Sequence, residues 1–133
     1  DRPNDLYGSH PHTDYGFLTI LAQDSVGGLE VRRPDGTWMP VPYVPGTFVV
    51  NVGDILARWT NDNFNSTPHR VISPEPDRDR YSIGYFFDPS LSAEIRTLSA
   101  FEANENATRY HPVRYSAYFA ERLDANYKDR VGP

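Results

Sequence analysis

The sequence has 133 residues, a length that suits one domain with a modest core. Its net charge of −5 gives no electrostatic reason to expect nucleic acid or an anionic membrane as a partner. Because cysteine is absent, disulfides, thiolate metal sites and cysteine nucleophiles are excluded. No apolar run approaches the ~20 residues of a membrane-spanning helix, and nothing resembles a signal peptide, so we expect a cytoplasmic protein. The chain opens at Asp1 without an initiator Met, so we expect a piece of a longer protein.

Short strands separated by turns are predicted for the first half of the chain. Twelve prolines and nine glycines favour turns over a helix bundle. Pro34-Asp35-Gly36 predicts a tight hairpin turn. Earlier in the chain, Gly27-Gly28 ends the apolar segment that begins at Tyr15. After a polar N-terminal loop, residues 1–9, we expect strands over 15–22, 29–33, 37–41, 47–52 and 55–60. Asp54 and Asn61 are expected to end strands and stabilise turns.

The second half predicts further strands and a terminal helix. We expect strands over 69–72, 81–87 and 94–98, with loops over 61–63 and 74–77. Ser99 and Glu102 are spaced as in a capping box that opens one helical turn. An apolar stripe predicts a helix over about 113–128, preceded by Pro112 and ended by the basic residues Lys128 and Arg130. The stripe consists of Tyr115, Tyr118, Phe119, Leu123 and Tyr127. This order of elements predicts an all-β sandwich or barrel with a C-terminal helix.

A metal-binding pattern stands at His12-Thr13-Asp14. Residues i and i+2 of an extended strand point to the same face, so the His12 imidazole and the Asp14 carboxylate leave the backbone side by side. Two histidines and one carboxylate on one face of an iron leave three positions open, as in the non-haem Fe(II) oxygenases. His69, several predicted strands later, is the candidate for the second histidine.

A carboxylate-binding pattern follows His69. Arg80 and Ser82 open the most strand-like segment of the chain and share one of its faces. A guanidinium fork and a hydroxyl can hold one carboxylate between them. A 2-oxo acid could then occupy two open metal positions, with its far carboxylate at Arg80 and one position left for O2.

Five motifs stand in order along the chain. They are His12-Thr13-Asp14, Asn51-Val52-Gly53-Asp54, Trp59-Thr60-Asn61, Ser66-Thr67-Pro68-His69-Arg70-Val71 and Arg80-Tyr81-Ser82. Together they resemble the 2-oxoglutarate/Fe(II) dioxygenases of the isopenicillin N synthase-like family, over residues 7–98 and more weakly through the terminal helix. The resemblance implies a double-stranded β-helix (jelly roll), iron held by His12, Asp14 and His69, and 2-oxoglutarate held by Arg80 and Ser82.

One departure from the family concerns its N-terminal part. Members carry a helical N-terminal region and a first jelly-roll strand whose tyrosine lines the co-substrate site. The sequence has neither, and Tyr7 lies too close to His12 to be that tyrosine. We therefore expect a fold without its first strand, and self-association through an uncovered sheet edge.

The remaining histidines and aromatic residues have simpler interpretations. His10 shares a strand face with His12 but has no carboxylate two residues on, so we expect it at the rim of the site. His111 is expected to lead into the terminal helix. Phe17, Tyr85 and Phe87 are expected to pack in the core.

The sequence thus predicts an oxygenase. It would couple decarboxylation of 2-oxoglutarate to succinate and CO2 with hydroxylation, desaturation or ring closure of a small organic substrate. One alternative is an oxidase of the same fold that does not use 2-oxoglutarate, in which Arg80 and Ser82 bind the substrate's carboxylate. Another is a catalytically incomplete metal-binding or interaction module.

Overall fold

Nine strands and two α-helices form the part of the protein that the computed structural model describes, residues 7–72, 78–102 and 108–128. The strands are β1 Tyr7–His12, β2 Leu18–Gln23, β3 Leu29–Arg32, β4 Trp38–Pro40, β5 Val49–Val52, β6 His69–Ile72, β7 Ser82–Phe87, β8 Glu94–Ile95 and β9 Val113–Arg114. The helices are α1 Asp54–Trp59 and α2 Tyr115–Lys128, with a 3-10 turn at Ser99–Phe101. Neither α-helix of this described part is long and apolar enough to cross a membrane.

Two antiparallel sheets carry most of the strands. One has four strands in the order β1-β6-β3-β4, and the other has three in the order β5-β2-β7. The predicted hairpin turn joins β3 and β4, and Gly36 adopts a φ of +86°, a value that glycine reaches without steric cost. The prediction of an all-β fold with a C-terminal helix is confirmed.

The buried apolar cluster lies where the helices meet the small β8–β9 sheet. Ile55, Ile95 and Tyr115 are almost completely buried there. Partly buried apolar side chains surround them: Trp59, Ala93, Val113, Tyr118 and Phe119. Because Ile55 belongs to α1 and Tyr115 to α2, this cluster fixes the terminal helix against the segment that follows β5.

A second cluster, centred on Arg70, connects the strands of the four-stranded sheet. Arg70 of β6 donates from Nε to Glu30 of β3 at 2.7 Å and from Nη1 to the Tyr7 hydroxyl of β1 at 3.3 Å. The Arg70 guanidinium also lies over the Trp38 ring of β4, 4.3 Å from its centroid. One largely buried cation therefore contacts all three other strands of the sheet.

The strand predicted over 55–60 is wrong. The segment is helix α1, which begins at Asp54 with Gly53 as N-cap residue. Ile55 and Trp59, four residues apart, lie on the side that packs in the apolar cluster. Six residues are too few for a helical period to stand out, and the alternating burial of Ile55 and Ala57 also fits a strand. Asp54 consequently opens a helix and does not end a strand.

Several predicted boundaries also change. The expected N-terminal loop gives way to β1 at Tyr7, and the apolar run over 15–22 becomes β2, which lies in the other sheet from β1. The strand over 94–98 shortens to β8. At Ser99 a single 3-10 turn forms, but its N-cap is Leu98 and no side-chain cap bond is present, so the predicted capping box is wrong.

The terminal helix agrees with the sequence pattern. It begins at Tyr115, three residues after Pro112, because β9 intervenes. His111 precedes β9, and its carbonyl oxygen accepts a hydrogen bond from Arg58 at 3.3 Å. The loop predicted over 74–77 and Arg130 lie outside the described residues.

The three-stranded sheet exposes one apolar face. Ile20 of β2 is paired with Val50 of β5 and with Tyr85 of β7, so these three side chains share a face. Tyr85 is 61% exposed and Phe87 is 51% exposed. The prediction that these two residues pack in the core is therefore wrong. Phe17 is partly buried, with its ring 5.3 Å from that of Trp59 and 5.9 Å from that of Phe87.

Candidate metal centre and carboxylate site

Three candidate ligands come from two paired strands and the loop that follows one of them. His12 ends β1, His69 begins β6, and the two residues are paired across the antiparallel ladder. Asp14 lies two residues beyond β1 in the loop that crosses to the other sheet. The pairing explains how residues 57 positions apart meet at one end of the four-stranded sheet.

The three side chains form a compact cluster. Nε2 of His69 lies 3.6 Å from Oδ1 of Asp14, and Nε2 of His12 lies 4.0 Å from the same oxygen. One ligand atom from each residue fits within 4.8 Å of the others. Asp14 and His69 are each only 7% exposed, whereas the His12 side chain is 39% exposed, so the cluster is open on the His12 side.

Backbone carbonyls orient both imidazoles. Nδ1 of His12 lies 2.6 Å from the carbonyl oxygen of His10, and Nδ1 of His69 lies 3.2 Å from that of Thr67. A carbonyl oxygen only accepts, so each Nδ1 carries the proton and donates. In the neutral ring, Nε2 then keeps its lone pair and faces Asp14. Metal-binding histidines usually have their second nitrogen fixed in this way.

Asp14 has one carboxylate oxygen without a partner. Oδ2 is buried and accepts no hydrogen bond from any residue that the structure describes. A buried carboxylate oxygen left in this state is costly, whereas a cation between Asp14 and the two histidines would satisfy it. The donor set of two imidazoles and one carboxylate is that of a non-haem Fe(II) site, so the residues present fit an iron ion.

Helix α1 fixes the loop that carries Asp14. The backbone N–H of Asp54 donates to the Asp14 carbonyl at 2.8 Å, and that of Ile55 donates to the Gly16 carbonyl at 3.0 Å. A Cβ on Gly53 would lie 2.2 Å from the Gly16 carbonyl oxygen, so only glycine permits this approach. The loop that carries Asp14 is therefore docked onto α1 by close backbone contacts.

Arg80 and Ser82 meet as predicted. Arg80 donates from Nε to the Gly27 carbonyl at 2.6 Å and from Nη1 to the Ser82 hydroxyl at 3.1 Å. Its Nη2 is buried and has no partner among the described residues. An oriented guanidinium with an unused donor beside a hydroxyl is suited to a carboxylate ligand.

Asp24, which the sequence interpretation missed, holds the segment that carries Arg80 in this candidate site. It accepts hydrogen bonds from the backbone N–H of Tyr81 at 2.6 Å and of Val26 at 3.0 Å. The Tyr81 hydrogen bond above all, with the Val26 bond and the nearby charge of Arg80, holds the pKa of Asp24 below its ordinary 3.8. Asp24 thus joins the end of β2 to the segment that presents Arg80. No local pattern in the sequence marks this long-range partner.

The other predicted residues lie at the margins. His10 is exposed beside Tyr7, with ring centroids 4.8 Å apart, and only its carbonyl contacts a candidate ligand. Asn61, in a left-handed conformation, lies in the turn after α1 and so follows a helix, not a strand as predicted; its side-chain oxygen accepts the backbone N–H of Arg109 at 3.0 Å.

Comparison with known proteins covers most of the chain. The family model of the 2OG-Fe(II) oxygenase superfamily matches residues 1–89. The proline hydroxylase buaE of Petromyces alliaceus is 48% identical over 126 residues, covering 87% of this chain and 39% of the relative. The 2-oxoglutarate-Fe(II) type oxidoreductase ppzD of Metarhizium majus is 41% identical over 123 residues, covering 87% of this chain and 35% of the relative.

A solved structure agrees with the fold. A full-length Neurospora crassa protein in complex with alpha-KG and thymine superimposes with a TM-score of 0.84 at 40% identity, over 92% of this chain and 38% of that one. The chain thus spans between about a third and two fifths of the length of these proteins. The two sheets of the chain have the jelly-roll arrangement of the 2OG oxygenases, as predicted. The chain belongs to the 2OG-Fe(II) oxygenase superfamily.

Proposed function

We propose that the protein binds Fe(II) through His12, Asp14 and His69 and serves as the catalytic part of an oxygenase. The observation that carries the proposal is the unsatisfied Oδ2 of the buried Asp14, beside two imidazoles whose Nε2 atoms face the same carboxylate. Family membership supports the choice of iron among the metals that such a site could take.

The co-substrate of this proposal is 2-oxoglutarate, bound by Arg80 and Ser82. Arg80 is held by Gly27 and Ser82, and its buried Nη2 remains available to a carboxylate oxygen. Solved relatives bound to alpha-KG support this assignment.

Iron and 2-oxoglutarate, when bound, would supply the activation of O2 and the two electrons from decarboxylation. The protein's own residues orient these groups. The carbonyls of His10 and Thr67 accept from Nδ1 of the two imidazoles, which leaves Nε2 as the nitrogen that would bind the metal, and the Asp14 carboxylate would partly neutralise the charge of the cation. Arg80 holds the distant carboxylate of the co-substrate. The open side at His12 leaves room for an organic substrate.

A single assay tests the activity. The protein is loaded anaerobically with Fe(II) and 2-oxoglutarate, exposed to O2, and succinate is measured with and without a panel of small organic substrates. Because the Neurospora crassa relative is solved with thymine and buaE is named a proline hydroxylase, nucleobases and proline belong in that panel. Succinate that depends on iron and 2-oxoglutarate supports the proposal, and its absence in metal-loaded protein contradicts it.

One observation favours a second candidate, an oxidase that does not use 2-oxoglutarate. Arg80 and Ser82 have the chemistry for any carboxylate, including one on the substrate itself. In that case O2 consumption would persist without 2-oxoglutarate and no succinate would form.

We also propose that the protein associates with a second copy through the three-stranded sheet. Its edge strands β5 and β7 each pair with β2 alone among the described strands, and Val50, Ile83 and Tyr85 expose apolar side chains. Unpaired edges and apolar faces of this kind favour association.

For the cellular location of the protein we propose the cytoplasm, where Fe(II) and 2-oxoglutarate are both supplied. The location of a fluorescent fusion protein tests this proposal.

A further inference from the structure

A stripe of polar and aromatic residues on α2 contacts the loop next to the metal centre. Tyr118, Arg122 and Asn126 are spaced four residues apart and therefore lie on one side of the helix. Their partners are Asp54 and residues of the metal loop, which we define as residues 13–17. These contacts join residues more than 60 positions apart in the sequence.

Asp54 is the centre of these contacts. Its Oδ2 accepts hydrogen bonds from the Tyr118 hydroxyl at 2.8 Å and from the Thr13 hydroxyl at 3.3 Å, and it forms an ion pair with Nη2 of Arg122 at 3.3 Å. Burial, and then the hydrogen bond to Asp54, raise the pKa of Tyr118 far above its ordinary value. The Tyr118 hydroxyl therefore keeps its proton and donates throughout the physiological range.

Side chains of α2 contact the metal loop on both sides of Asp14. Nη2 of Arg122 donates to Oγ1 of Thr13 at 3.3 Å, and the Arg122 guanidinium lies 4.6 Å from the centroid of the Tyr15 ring. Asn126, one turn further on, donates to the Tyr15 hydroxyl. Thr13 and Tyr15 are the two neighbours of the candidate ligand Asp14, so the helix constrains the ligand through both of its flanking residues.

We propose that Tyr118 and Arg122 are positioning residues for the metal centre, acting through Asp54 and Thr13 to hold Asp14 in ligating position. The inference rests on the proposed iron site and adds that the C-terminal helix sets its affinity. Partners that orient metal ligands commonly change metal affinity by roughly 10- to 100-fold when they are removed.

The chain offers a matched control for Tyr118. Tyr110 also donates its hydroxyl to an aspartate, Asp62, at 2.7 Å, and burial also raises its pKa. Both tyrosines line the same cavity of about 340 Å³, so removal of either hydroxyl alters the same surroundings. Tyr110 does not contact the metal loop. A purely structural role would therefore give Tyr118→Phe and Tyr110→Phe the same effects.

The test measures Co(II) binding, since Co(II) is stable in air and its visible absorption reports ligand geometry. We expect Tyr118→Phe to raise the Kd for Co(II) by about 10-fold or more and to alter the spectrum, with Tyr110→Phe matching wild type. Thermal melts of the metal-free proteins separate this effect from a general loss of stability. Arg122→Met should act like Tyr118→Phe, and Arg122→Lys should restore part of the affinity.

The outcomes discriminate between the two proposals. If wild type binds no Co(II) or Fe(II), the proposed metal centre is wrong and this inference falls with it. If wild type binds and Tyr118→Phe, Arg122→Met and Tyr110→Phe all bind equally well, the metal centre stands and the positioning role is overturned. Should Tyr118→Phe fold poorly, Arg122→Met decides, because an affinity for Co(II) equal to that of wild type in this variant overturns the positioning role.

Discussion

His12 and His69 face each other as a registered pair across β1 and β6, with their ring centroids 4.3 Å apart. The ladder therefore sets the separation of two candidate ligands by backbone hydrogen bonds before any metal binds. Because one side chain ends a strand and the other begins one, both project at the same end of the sheet, where the metal loop brings Asp14. The centre is thus largely formed by strand pairing.

Removing any one of the three proposed ligands should abolish stoichiometric Fe(II) binding. His12→Ala, Asp14→Ala and His69→Ala each leave only two ligands, while the backbone pairing of β1 with β6 is kept. His10→Ala is the control, because the contact it makes to His12 comes from its backbone carbonyl, which the substitution keeps. Anaerobic titration of the four variants gives the answer; equal loss in His10→Ala would overturn the assignment.

Arg80→Ala should weaken binding of 2-oxoglutarate by roughly 30-fold to over 1,000-fold. Loss of one partner of a buried charged pair costs about 2–5 kcal/mol, much of it from the charge left unpaired. Arg80→Lys should rescue only part of this, since an ammonium cannot bond Gly27, Ser82 and a carboxylate in one plane. Calorimetric titration measures the affinities, with the exposed Arg78→Ala as control. Unchanged binding in Arg80→Ala would favour the oxidase alternative.

Asp24→Asn should lower stability above pH 4 and should also weaken 2-oxoglutarate binding. The pKa of Asp24 is lowered in the folded protein, so its charged form stabilises the fold above the unfolded pKa of about 3.8. That contribution is lost as the pH falls through the folded pKa, and the melting temperatures of variant and wild type should converge there.

Asp35→Asn is the matched control for this variant. Asp35 accepts hydrogen bonds from the hydroxyl and the backbone N–H of Thr37, which likewise lower its pKa, but it lies in the β3–β4 turn. We expect the same acid-dependent loss of stability without a change in co-substrate affinity. If both variants bind 2-oxoglutarate equally well, Asp24 has no role in placing Arg80.

Glu30→Ala should destabilise the four-stranded sheet by about 3 kcal/mol, or about 10 °C in Tm. The substitution removes the Glu30 carboxylate, which pairs with an Arg70 guanidinium that is only 9% exposed. The exposed pair Glu94 and Arg96 provides the control, because Glu94→Ala should cost less than about 1 kcal/mol. Denaturant unfolding measures the free energy of unfolding of both variants. Similar losses of stability in the two would show that the contact between Glu30 and Arg70 does not stabilise the sheet.

Local spacing marks two candidate pairs in the sequence, because His12 and Asp14 are two residues apart, as are Arg80 and Ser82. The resemblance to the dioxygenase family was needed to select them as ligands and to add His69, which lies 57 positions from His12. Helix α1 could not be found, because six residues carry no clear period and their helical form depends on docking onto the metal loop. The stripe of Tyr118, Arg122 and Asn126 is visible as a four-residue repeat, but its partner Asp54 lies 64 positions before Tyr118. Such a pairing exists only after folding.

From the exposed apolar face of the three-stranded sheet we predict that the protein self-associates at micromolar concentration. Ile83 and Tyr85 of β7 are 76% and 61% exposed, and β7 is an edge strand of the described sheet. Lysine at these positions would place charge on the apolar face and hinder pairing at the edge, as natural edge strands do. The double variant Ile83→Lys/Tyr85→Lys should therefore sediment as a monomer. Leu91→Lys/Leu98→Lys is the control, because both leucines are exposed but lie outside the sheet. Sedimentation velocity over a concentration series should show wild type and this control associating alike, whereas a monomeric wild type would overturn the prediction.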